Sequence, residues 1–142
     1  MTIQQIIEMI TLFYVAPSGC YEEEVEDFPG AKEFIDAGYA EPDEEERDFF
    51  VISDAGDEFL LPHIKQIAED LVTFMYDAGG ESTDEEIQKW CAEKYQLENE
   101  ETVQLLAFFM CDKLNHFGWE ASRIYSSEKG WFRRLEELPD AE

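Results

Sequence analysis

The sequence predicts an α+β, mostly helical protein built as two related halves, in each of which helices are followed by a short β-hairpin. Three observations lead there. Apolar residues at helical spacing near the start recur 61 positions later, with similar local wording. Each half then holds a helix that ends in glycine followed by an aromatic residue, and extended segments follow it. Finally, the chain folds despite its charge: 35 Asp and Glu stand against 10 Lys and Arg in 142 residues, yet 44% are hydrophobic and 20 are Phe, Tyr or Trp. Disordered acidic segments lack that apolar content.

Ile3, Ile6, Ile7, Ile10, Phe13 and Tyr14 lie at intervals of three and four, the mark of an amphipathic helix. After the break at Ala16-Pro-Ser-Gly19, Tyr21 to Asp27 has room for one or two helical turns. Pro29, at a favoured first helical position, opens a helix through Phe34 and Ile35 to Ala37. Gly38 then suits the left-handed residue beyond a helix end. Tyr39-Ala40 and Phe49 to Ile52 form a hairpin around an acidic loop, and Ser53-Asp-Ala-Gly56 leads into the apolar pair Phe59-Leu60.

The second half opens with Ile64, Ile67, Ala68, Leu71, Phe74 and Met75, matching the first set position for position. IQQIIE at 3–8 lies over IKQIAE at 64–69, and the break DAGG at 77–80 over APSG at 16–19, which indicates an internal duplication. Ser82, Thr83, Glu85 and Glu86 offer overlapping capping boxes for a helix through Ile87, Trp90, Cys91 and Tyr95. From about Asn99 another helix carries Val103, Leu106, Ala107, Met110, Leu114 and Phe117 on one face and ends at Gly118-Trp119. Trp119-Glu-Ala and Arg123-Ile-Tyr125 are the expected hairpin strands, with Ser126 to Gly130 leading into Trp131-Phe132. The two glycines of each half, Gly38 and Gly56 or Gly118 and Gly130, are 18 and 12 positions apart, so the hairpin loop absorbs the difference.

Helices, a Gly-aromatic end, a hairpin and an S-x-x-G-like lead to a last apolar pair, in that order, resemble a winged-helix domain, twice. The resemblance places one winged-helix-like half at 1–61 and another at 63–138, with an acidic tail at 139–142. It implies a helix and a wing that meet DNA through basic side chains. Here those positions are acidic. The stretch before Gly38 holds Glu22, Glu23, Glu24, Glu26, Asp27, Glu33 and Asp36 against Lys32. The wing holds Glu41, Asp43, Glu44, Glu45, Glu46 and Asp48 against Arg47. DNA binding therefore does not carry over, and with a net charge of −25 neither direct DNA or RNA contact nor an anionic membrane surface is expected.

The charge is uneven. Residues 1–62 hold 17 acids and 2 bases, and residues 63–142 hold 18 and 8. A compact chain of this length would be about 37 Å across, a span over which duplex DNA carries about 22 phosphates. The densities are alike, so a folded carboxylate surface can occupy a cleft made for nucleic acid, through charge-assisted pairing with Arg and salt-sensitive association. In size and acidity the chain resembles small phage or mobile-element proteins that inhibit restriction, CRISPR or other host nucleic-acid machinery. The expected partner-binding residues are Glu22, Glu23, Glu24, Glu26, Asp27, Asp43, Glu44, Glu45, Glu46 and Asp48, and the expected partner is a basic nucleic-acid-binding protein or nuclease complex. Other readings of the same features are a winged-helix-derived adaptor that binds through apolar patches, an immunity protein against a basic toxin nuclease, and halophilic adaptation. The basic group Arg123, Lys129, Arg133 and Arg134 is expected to neutralise nearby acids; the alternative is a residual nucleic-acid contact, against which the acidic tail from Glu136 argues.

Signals for catalysis are missing from the sequence. It has no GxxxxGK[ST] phosphate loop, no GxGxxG and no EF-hand series, and Gly79-Gly80 reads as a helix terminator. His63 and His116 lie in no metal-binding motif. Cys111 and His116, five apart, do not share a helical face. Cys20, Cys91 and Cys111 are odd in number and widely spaced, which fits a reducing cytoplasm better than a disulfide framework. The first residues lack a basic segment and a long apolar run. No enzyme activity, cofactor or metal is expected, and the protein is expected in the cytoplasm.

Overall fold

The computed structural model describes residues 1–15, 17–78, 81–113, 124–127 and 130–133. They form an α+β, mostly helical chain that divides into two compact units, Met1–Ile64 and Lys65–Glu142.

In the first unit, helix α1 (Ile3–Tyr14) starts at Thr2, whose hydroxyl accepts from the Gln5 amide at 3.2 Å while the Gln5 side chain accepts from the Thr2 amide at 3.0 Å. This reciprocal pair satisfies two of the amides that a helix start leaves open. Strand β1 (Cys20–Tyr21) follows, then a 3₁₀ helix (Glu22–Asp27), helix α2 (Ala31–Asp36), and strands β2 (Ala40–Pro42) and β3 (Phe49–Ile52). The sheet is antiparallel in the order β1-β3-β2, with Tyr21 opposite Phe49 and Ala40 opposite Ile52.

The Gly-aromatic signature closes α2. Gly38 adopts φ +85° and donates to the Ile35 carbonyl at 3.0 Å, and the Tyr39 amide donates to Phe34 at 3.1 Å. That is a Schellman end, and its apolar contact is the Phe34–Tyr39 ring pair, 5.3 Å between centroids. Phe34 also packs on Phe13 of α1 at 5.1 Å, and Tyr39 stacks on Phe59 at 4.6 Å. Ile7, Met9, Ile10 and Leu60 of the same unit are fully buried.

Ser53 joins the hairpin to helix α3 (Asp54–Asp77). Its hydroxyl donates to the Gly38 carbonyl at 2.6 Å and accepts from the Gly56 amide at 3.2 Å, so one side chain both caps α3 and ties it to the end of α2. Gly56 is there because a Cβ would stand 2.0 Å from the Tyr39 carbonyl oxygen. At the last residue of α1, the Tyr14 hydroxyl donates to Asp57 at 2.5 Å and binds α1 to α3.

The second unit begins within α3. Strand β4 (Glu81–Ser82), helices α4 (Asp84–Tyr95) and α5 (Glu100–Lys113), and strands β5 (Ile124–Ser127) and β6 (Gly130–Arg133) follow, with sheet order β4-β6-β5. Of the overlapping capping boxes, Thr83–Glu86 forms: the Thr83 hydroxyl accepts from the Glu86 amide at 3.1 Å. Asn99 caps α5 by accepting from the amides of Glu101 and Thr102. Ile87, Cys91, Leu106 and Met110 are fully buried, Phe74 stacks on Trp90, and the Tyr95 hydroxyl donates to Asp70 at 3.0 Å.

Three expectations change. Pro29 does not open α2: the Ala31 amide bonds to the Phe28 carbonyl at 2.9 Å across Pro29-Gly30, so this pair forms a turn and the helix starts at Ala31. The lead from Ser53 into Phe59-Leu60 and the helix from Ile64 are not separate segments. Residues 54–77 are one helix that accommodates Pro62 at an exposed position, where water can solvate the carbonyl deprived of its partner. The second hairpin pairs Ile124–Ser127 with Gly130–Arg133, with Ser126 opposite Trp131, so Ser126 and Ser127 are strand and not a lead into Trp131-Phe132; the expected strand 119–121 and Arg123 lie outside the described residues. The β-formers Ile124 and Tyr125 pair with Arg133 and Phe132, and the ladder carries Ser126 into the strand. Gly79-Gly80, Leu114, His116, Phe117, Gly118-Trp119 and the acidic tail lie outside the described residues.

Replacing Gly56 by Ala will push a methyl group into the Tyr39 carbonyl and the Ile52 side chain. We expect a loss of about 2–4 kcal/mol in urea unfolding, against about 1 kcal/mol for removing the Ser53 cap alone. Equal losses would contradict this close packing.

Candidate protein-binding surface

The ten carboxylates singled out in the sequence come from two segments, and the β1–β3 pairing brings those segments together. Tyr21 ends β1 opposite Phe49, which begins β3. The 3₁₀ helix leaves the sheet at that end, and the 43–48 loop enters β3 at the same end. The Glu22 amide donates to the Asp48 carbonyl at 2.7 Å, fixing one acidic segment to the other.

Glu22, Glu23, Glu26, Asp27, Glu44, Glu45, Glu46 and Asp48 are exposed. Glu24 and Asp43 are half-buried and serve the backbone. Glu24 Oε1 accepts from the Tyr21 amide at 3.2 Å, and Asp43 Oδ2 accepts from the amides of Glu45 and Glu46, each at 3.1 Å. With the Asp43 amide bonded to the Phe49 carbonyl and the Phe49 amide to Glu46, the loop is a closed turn. Its remaining carboxylates are thereby held outward. Among the described residues none of the ten is in an ion pair: Lys32 is engaged by Asp36 at 2.9 Å, and the other pairs are Met1–Glu33 and Lys89–Glu93.

Tyr21 stands between the segments and has no place among the sequence-predicted residues. Its ring packs on Phe49 at 4.8 Å, and its hydroxyl donates to Glu46 Oε2 at 3.3 Å. The Glu46 charge, and then the bond to it, raise the hydroxyl pKa, with Asp48 and Glu24 adding. The buried Cys20 thiol is pushed up to about 11, chiefly by burial and then by Glu24 and Asp27. Both groups register one negative field. A tyrosine beside a run of acids is the signal that could have marked Tyr21.

Burial pushes the Cys91 thiol up to about 12, so neither thiol is a ready nucleophile at neutral pH. Among the described residues no three His, Cys, Asp or Glu side chains are placed to hold a metal ion, and no helix is long and apolar enough to cross a membrane. Of the basic group, Arg123, Lys129 and Arg134 lie outside the described residues, and Arg133 is a backbone position in β6. Compared with known proteins, the chain matches no family model, no curated protein and no solved structure.

The Tyr21 environment makes a direct prediction. Because carboxylates disfavour the phenolate, removing the Glu46 charge stabilises that form and lowers the pKa. In a Glu46→Gln variant followed by ¹³C NMR of labelled tyrosine, Tyr21 should titrate at lower pH than in the parent protein. An unchanged midpoint would contradict the Tyr21–Glu46 contact.

Proposed function

We propose that the protein is a non-catalytic inhibitor that sets the acidic face of its first unit against a basic, nucleic-acid-binding surface of a partner protein. The supporting observation is the joining of two acidic segments at one end of a sheet, with eight exposed carboxylates in no ion pair among the described residues. Such an arrangement suits a partner rich in Arg, whose guanidinium forms strong paired contacts with carboxylates.

The element order adds context. Each unit runs helix, strand, two helical segments, then two strands, and in each sheet the last strand lies in the middle. This is the order of a winged-helix domain, and its occurrence in both units accords with duplication of an ancestral half. In the first unit the segments that would carry basic DNA contacts carry Glu22 to Asp27 and Asp43 to Asp48 instead. On this reading the protein keeps a DNA-binding scaffold and inverts its charge. A phage or mobile-element protein that disarms host nucleic-acid machinery is the type of inhibitor it fits.

The test is a quadruple reversal, Glu22→Lys, Glu23→Lys, Glu44→Lys and Glu45→Lys, all at exposed positions. At physiological salt the variant should lose capture of the partner from host lysate by about a hundredfold or more, while its circular dichroism matches the parent's. Full capture by the folded variant would refute the proposal.

A further inference from the structure

The second unit carries a surface of different character. Between α4 and α5 runs an open groove of about 330 Å³ whose apolar lining is Ala92, Leu97 and Val103. Glu85, Glu98 and Glu100 also line it, against the single cation Lys89, which lies 3.9 Å from Glu93. On α5, Gln104 and Phe108 continue the face of Glu100 at successive turns, and Phe108 is 66% exposed, the most exposed large apolar residue among those described. An aromatic side chain left this open beside a groove is a familiar mark of a contact surface.

We propose that this groove docks a basic amphipathic segment of a protein partner, in which an apolar side chain is flanked by Lys or Arg. Charge complementarity selects the occupant. Three carboxylates against one already engaged ammonium favour cations around the seated residue, and an acidic or neutral segment would leave them uncompensated. Ala92, Leu97 and Val103 receive the apolar side chain, and Phe108 covers the next turn of the segment. Helix-in-groove recognition uses this division of labour. The site goes beyond the acidic face of the first unit, since it combines apolar burial with charge.

The test uses the full chain and a synthetic helical peptide of Leu, Ala and Lys, with Leu and Lys one turn apart, followed by ¹H–¹⁵N NMR and calorimetry. Shifts should concentrate at Gln88, Ala92, Leu97 and Gln104, and a peptide with Glu in place of Lys should not bind. The pair Ala92→Arg and Phe108→Ser should weaken binding about tenfold or more. Glu98→Lys with Glu100→Lys, both exposed, should do the same and serves if the first pair does not fold. The quadruple reversal in the first unit should leave binding to the groove in place, which separates this site from the acidic face. Shifts centred on Glu44 to Glu46, or unchanged affinity in folded groove variants, would overturn the proposal.

Discussion

The acidic surface depends on a two-residue antiparallel contact. Cys20 and Tyr21 pair with Phe50 and Phe49, and the Glu22–Asp48 backbone bond extends that contact by one step. Without it the 3₁₀ helix and the 43–48 loop would be separate flexible acidic segments, and repulsion would drive them apart. Two carboxylates about 6 Å apart in water repel by roughly 0.7 kcal/mol, so a group of eight carries a cost of several kcal/mol at low salt. Burial of large side chains, each worth about 1.5–3 kcal/mol, is the term large enough to offset it. Phe13 and Phe34, both buried, and the half-buried Tyr39 and Phe59 that continue their chain of rings supply part of that burial.

What the sequence discloses about the fold follows from how local each cause is. Helix α1, the Thr83 cap and the Gly38 helix end rest on interactions within a few residues, and spacing reveals them. The continuity of α3 through Pro62 and the register of β5 with β6 depend on tertiary surroundings. A proline signals a break unless the freed carbonyl reaches water, and Ser126 to Gly130 resembles Ser53 to Gly56 in letters, yet Ser126 lies in a strand while Ser53 caps a helix. Ser53 becomes a cap because the Gly38 carbonyl stands within reach of its hydroxyl, a partner 15 residues away.

The candidate site was legible as two acidic runs but not as one surface. Composition marks the runs; only strand pairing joins them. It also divides the ten residues by role, because Glu24 and Asp43 turn inward to backbone amides and the other eight face water. Tyr21 and Phe108 escaped sequence reasoning because an aromatic residue reads as core, Phe108 between Ala107 and Phe109 above all, whereas exposure is set by the packing of the segments around it. Their exposure gives the two units different surfaces, one dominated by carboxylates and one mixing carboxylates with an open ring and an apolar groove.

The central claim is that carboxylates of the first unit occupy a site made for phosphates. Competition measures this most directly: the partner, captured from host lysate on the immobilised protein, is challenged with increasing duplex DNA at physiological salt. Release of the partner as DNA rises, with no ternary complex of the three, is the result this account predicts. A stable ternary complex, with the partner holding DNA and this protein at once, would contradict it.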